Sequence, residues 1–159
     1  NSEKVRLNFE QKHSGEGLLV VDEKNNTSQN KYVQSSLLDE QKEDLLNRIK
    51  FAFESEKIFL QDNLTLLILA EKLNTNKSYL SQVINEHFKK NFSTFVNEYR
   101  VKEASRILLE KESQNFTIEA IANSVGFKSK SAFNSAFKKF TGITPSYFVN
   151  STKKEGVEF

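Results

Sequence analysis

The residues best suited to chemistry lie in one stretch, Gly126-Phe127-Lys128-Ser129-Lys130-Ser131-Ala132-Phe133-Asn134-Ser135-Ala136-Phe137-Lys138-Lys139-Phe140-Thr141-Gly142. Phe133, Phe137 and Phe140 recur at the i, i+4, i+7 spacing of one helical face, with lysines and small polar residues between them. One face seeks a core and the other is cationic. From Ala120 to Lys154 the chain has six lysines (Lys128, Lys130, Lys138, Lys139, Lys153 and Lys154) and no acid, so a polyanion is the natural partner. This is chemistry of recognition. The sequence has no phosphate-cradling glycine loop, no nucleophile beside a base and no paired histidines, so a non-enzyme without a cofactor is expected. With no cysteine, and with His13 and His87 in unrelated contexts, disulfides are excluded and metal chemistry is not expected.

A length of 159 residues, 37% of them apolar, suits one medium domain with an appendage. No apolar run approaches the roughly 20 residues that cross a bilayer, and no signal segment opens the chain. A cytoplasmic setting is expected for this domain, while the full-length protein could be membrane-attached. The sequence opens on Asn1 and contains no methionine, which points to a piece of something longer. The net charge of +2 hides an asymmetry: Asn1 to Asn63 has 9 basic and 12 acidic residues, whereas Leu64 to Phe159 has 14 and 9. The two parts have different tasks.

The elements that must position the basic stretch can be read in order. Residues 1–35 alternate at Val5, Leu7 and Phe9, turn at Ser14-Gly15-Glu16-Gly17, and read as an N-terminal arm, short hairpin or linker from an upstream region. A capping-box spacing at Ser36 to Asp39 opens a lead-in helix that runs to about Glu56 within a segment 36–60, with Leu45, Leu46, Ile49, Ala52 and Phe53 on one side. Thr65 caps a short helix, Asn74 takes a turn, and a second helix from Asn76 to His87 buries Leu80, Val83 and Ile84. From Phe92 to Lys111 an unbroken helical pattern of roughly 20 residues makes a rod near 30 Å long at about 1.5 Å per residue. Thr117 caps another short helix, the basic helix follows, and Thr144-Pro145 starts a last one carrying Tyr147, Phe148 and Val149.

Comparing the halves exposes an internal repeat. Leu64-Thr65-Leu66, Leu69-Ala70 and Leu73 match Phe116-Thr117-Ile118, Ile121-Ala122 and Val125. After one extra residue in the second copy, Leu80, Ile84 and Asn91-Phe92-Ser93 match Phe133, Phe137 and Thr144-Pro145-Ser146. Each copy is a short helix, a tight turn and a second helix with a polar outer face, the layout of a helix-turn-helix. The predicted fold is all-α: two helix-turn-helix subdomains joined by a long linker helix, preceded by a short arm or hairpin.

The region from Leu64 to Asn150 resembles the DNA-binding domain of the AraC/XylS family of bacterial transcription regulators. The resemblance rests on Gly126-Phe127, Phe133, Phe137-Lys138-Lys139-Phe140-Thr141-Gly142 and Thr144-Pro145, supported by Leu69-Ala70 and by Asn97-Glu98-Tyr99-Arg100 to Ala104 and Leu108-Leu109. It implies a DNA-binding domain over 61–152, with a first unit at 64–91, a linker helix at 92–111 and a second unit at 116–150. It further implies sequence-specific binding of double-stranded promoter DNA and a role as the output part of a larger signal-responsive regulator, while the length of the rod, close to the roughly 34 Å between successive major grooves, suits two recognition helices in adjacent grooves. No cupin-like sensor is visible, and the lead-in helix resembles that of members attached to other sensory or membrane modules. RNA polymerase and, through the upstream region or the arm, a second copy of the chain are the other partners in view.

Carried across residue by residue, the family's base-contacting positions fall on Ser78, Ser81, Gln82 and Asn85 in the first unit and on Lys130, Ser131, Asn134 and Ser135 in the second. Gln and Asn pair bidentately with adenine, Lys favours guanine acceptors, and Ser is permissive. Many family members have arginine where Ser135 stands, which implies weaker direct readout there and more reliance on phosphate contacts and DNA shape. Lys77, Lys128, Lys138, Lys139 and the capped helix starts at Thr117 and Thr144 are the candidate phosphate contacts. The competing reading is a helical protein-interaction module without DNA binding. A lysine pair alone is more often solvated surface, but the acid-free window and the repeat reverse those odds.

Overall fold

The computed structural model describes residues 38–110 and 115–154, with side chains as far as Ser151. The arm or hairpin expected over 1–35 and the Ser36 end of the capping box lie outside the described residues. Every described element is helical. Helix α1 covers 38–50 and widens into a π-type turn, Phe51–Ser55, followed by a single 3₁₀ turn, Ile58–Leu60. Then come α2 (Leu66–Lys72), α3 (Lys77–Phe88), α4 (Phe92–Leu109), α5 (Ile118–Ser124), α6 (Lys130–Thr141) and α7 (Pro145–Lys154). The sequence pattern reads α1 as a plain helix to Glu56. Instead the chain loosens at Phe51, buries Ala52 and Phe53 together, and reverses through Lys57 at φ 50°. The long helix ends two residues before the expected Lys111, because Glu110 is already extended at ψ 134°.

The repeat is carried by its caps. Thr65 and Thr117 accept from the amides of Ile68 and Ala120, and Asn76 and Ser129 from those of Tyr79 and Ala132. Asn91 and Thr144 do the same for Thr94 and Tyr147. Each side chain satisfies an amide that the helix itself leaves without an acceptor. The helix ends match as well: Thr75 N donates to Ala70 O and Phe127 N to Ala122 O, both at 2.9 Å, closing the same Schellman turn around Asn74 (φ 48°) and Gly126 (φ 94°).

Two apolar cores result. The first gathers Leu45, Ile49 and Phe53 of the α1 segment with Leu69, Leu80 and Ile84 of α2 and α3, and with Phe95 and Val96 of α4. Phe53 lies at its centre, 4.7 Å from Phe95 and 5.0 Å from Tyr99 between ring centroids. The lead-in helix is therefore part of the first unit's interior. The second core joins Val101 and Ala104 of α4 to Ile121 and Val125, and to Phe133 and Phe137 of α6. There Phe127, Phe133, Phe137 and Phe148 form a chain of edge-on rings spaced 5.3 to 5.5 Å apart. Helix α4 thus gives its first half to one core and its second half to the other.

Ion pairs trim the outside of α4. Glu98 binds Lys90 and Lys102, and Glu103 binds Lys57 at 3.0 Å and Arg106 at 2.9 Å. The Lys90 bond holds the Glu98 carboxyl below its ordinary value, and the Arg106 bond does so for Glu103. A carboxyl whose pKa is depressed by folding contributes stability above its unfolded pKa and loses it as pH falls through the folded one. Acidification below the ordinary value of 4.5 should therefore weaken the fold, and Glu103→Gln should flatten that loss, read as urea midpoints across pH. Phe133→Ala, which empties the centre of the ring chain, should cost about 3–5 kcal/mol of stability in the same urea titration.

Candidate nucleic-acid interface

Helix α3 buries Leu80, Val83 and Ile84, which turns its opposite face outward. Lys77, Ser78, Gln82 and Asn85 are exposed on that face and Ser81 is half-buried. Helix α6 buries Phe133, Ala136 and Phe137, leaving Lys130, Ser131, Ser135, Lys138 and Lys139 exposed and Asn134 half-buried. Within each helix the candidate base-contacting residues expected from the sequence share one solvent-facing side. Lys128 is exposed in the turn before α6, and Thr117 and Thr144 are exposed at the starts of α5 and α7.

The two outer faces differ in charge. That of α6 has lysines and no carboxylate, with the Lys139 ammonium 6.0 Å from the Phe140 ring centroid. That of α3 carries Glu86 one turn beyond Gln82. The Glu86 carboxylate accepts from Gln82 Nε2 at 2.8 Å through one oxygen and from Lys42 Nζ of α1 at 2.6 Å through the other. The Lys42 hydrogen bond, followed by that of Gln82, lowers the Glu86 carboxyl pKa, while the same bond raises that of Lys42. Sequence reading did not single out Glu86. Its i, i+4 spacing from Gln82 was available as a signal. Lys42 lies 44 residues away and left none.

Arg100 is a second residue whose setting the sequence pattern does not mark. Only 8% exposed, it is the one charged side chain among the buried residues described. Its Nε donates to Phe59 O at 2.7 Å and its Nη2 to Gln61 O at 2.6 Å, while the guanidinium carbon lies 5.6 Å from the Phe127 ring centroid. Burial pushes its pKa down, opposed by the Asp62 carboxylate.

A family model described as a helix-turn-helix domain matches residues 69–151, more than half of the 159. The chain belongs to the AraC-type helix-turn-helix family. Over 97 residues it is 31% identical to the raffinose operon transcriptional regulatory protein RafR of Pediococcus pentosaceus, covering 58% of this chain and 34% of that protein. It thus spans about a third of that relative's length. The C-terminal domain of AraT, a response regulator from Geobacillus stearothermophilus, matches with a TM-score of 0.54 and 34% identity over 60% of this chain and 76% of that one. The DNA-binding domain of the global transcriptional factor AdpA, solved in complex with a target DNA, matches with a TM-score of 0.60 over 72% of this chain and 97% of that one. At 18% identity that likeness is one of fold. AraC-type domains bind DNA in transcription regulation, and the duplicated unit described above is that kind of domain.

The link between α1 and α3 can be tested without DNA. Lys42→Met should raise the Glu86 carboxyl pKa toward its ordinary 4.5, read by carbon-detected NMR titration. An unchanged titration would assign the depression to Gln82 and the nearby Lys89 charge instead.

Proposed function

We propose that this AraC-type domain reads double-stranded promoter DNA by laying α3 and α6 in adjacent major grooves. The observation that carries the proposal is the duplicated helix-turn-helix, whose second outer helix, α6, shows lysines and no carboxylate. The 18 residues of α4 span about 27 Å at about 1.5 Å each, close to the roughly 34 Å between successive major grooves on one face of B-DNA. One chain then does what a symmetric dimer does elsewhere, on an asymmetric site.

Ser78, Ser81, Gln82 and Asn85 meet base edges in the first groove, and Lys130, Ser131, Asn134 and Ser135 in the second. Gln82 has one amide hydrogen committed to Glu86, so pairing with adenine uses its carbonyl oxygen and the other hydrogen. Lys77, Lys128, Lys138 and Lys139 and the capped starts at Thr117 and Thr144 hold phosphates. The reading unit is the domain at 61–152, and the sharing of the first core supports counting α1 with it. As the output part of a larger regulator, it acts in the cytoplasm, with RNA polymerase as a protein partner and a second copy joined through the region before α1.

Anisotropy with fluorescent promoter duplexes tests this directly. Lys138→Glu with Lys139→Glu should weaken binding to all sequences alike and reduce the salt slope by about 2. Gln82→Ala should instead relax preference at one base pair by about 1–3 kcal/mol. Binding that ignores both salt and these substitutions would favour a protein-interaction module.

A further inference from the structure

The two cores share α4 and no buried side chain: Phe95 and Val96 belong to the first, Val101, Ala104 and Leu108 to the second. A lone helix between two bodies bends and twists under load. Arg100 lies at the changeover and supplies a second attachment away from the helix axis. Its guanidinium holds the carbonyls of Phe59 and Gln61, in the connector that precedes α2, and lies beside the Phe127 ring of the second unit. Leu60, in the same connector, packs against both cores. Gly126 closes the contact from the other side. A Cβ there would come within 2.8 Å of both Phe59 O and Leu60 O and 3.0 Å from Arg100 Nε, so only glycine lets the second unit's turn seat on the connector.

We propose that Arg100 is a positioning residue that locks the two reading units in one relative setting, making the spacing between the two base-contacted boxes a determinant of specificity. This rests on the proposed DNA reading for its consequence, though not for its geometry. A locked pair tolerates one spacing. Each inserted base pair turns the second box by about 34° around the duplex, because B-DNA repeats every 10–10.5 base pairs. A loosened pair follows that rotation.

Two experiments separate the lock from its use. The chain has no cysteine, so Glu71→Cys on α2 and Glu119→Cys on α5, both exposed, accept spin labels without background. Pulsed electron resonance should give one narrow distance distribution in the otherwise unaltered protein, broadened by Arg100→Lys, which keeps the charge but loses the fork. A broad distribution before that substitution overturns the lock, even if Arg100→Lys does not fold. For its use, a duplex selected by the unaltered protein from a random pool is compared with versions lengthened by one and two base pairs between the boxes. The unaltered protein should lose about 100-fold on lengthening, and Arg100→Lys and Gly126→Ala about 10-fold or less. If folded variants keep the full penalty while binding every duplex more weakly, Arg100 serves stability only and the inference fails. Absence of any duplex binding by the unaltered protein, with a narrow distribution retained, would sink the DNA reading and leave the lock standing.

Discussion

One helix serves two interiors, and the charge buried where it passes from one to the other is the constraint on which the architecture turns. Removing a guanidinium from water is costly unless its donors are matched. Two carbonyls of the 59–61 connector accept from Nε and Nη2 of Arg100, and the face of Phe127 lies against its guanidinium. The connector must therefore pass close to α4, which it reaches after the left-handed Lys57. Satisfying that one side chain ties down the backbone from Phe59 to Gln61.

Within this frame, each unit is assembled by local rules applied twice. A hydroxyl or amide caps the short helix, a Schellman turn stops it, a second cap starts the outer helix, and a left-handed residue ends that one, Lys89 in the first unit and Gly142 in the second. Burial of a narrow apolar face then turns the polar face outward. Function follows from what is left outside: a mixed surface on α3, where Glu86 ties Gln82 to α1, and an unmixed cationic one on α6.

The helices, their caps and the duplicated layout were legible because they depend on neighbours in sequence. Thr65, Asn76, Thr117 and Thr144 announce helix starts by type and position, and the aromatic spacing in α6 announces its buried face. What stayed hidden depends on distant parts of the chain. Arg100 sits among polar residues of α4, and its partners are 39 and 41 residues earlier, so nothing local marks it as internal. The π turn is equally silent, since Phe51 to Ser55 reads as ordinary helix until the packing of Ala52 and Phe53 is known. The candidate base-contacting side chains come from family resemblance and lie exposed or half-buried, but Glu86 beside Gln82 required the fold.

The turns at Asn74 and Gly126 have the same hydrogen bonds, and the second lies against the backbone of the connector before α2. Gly142, the other left-handed glycine, has open space where a side chain would go. The twin modules are consequently not interchangeable parts. Shuffling the first into the place of the second would drive an asparagine side chain into two carbonyls. The chain has a head and a tail, and that polarity is written into a single missing methyl group.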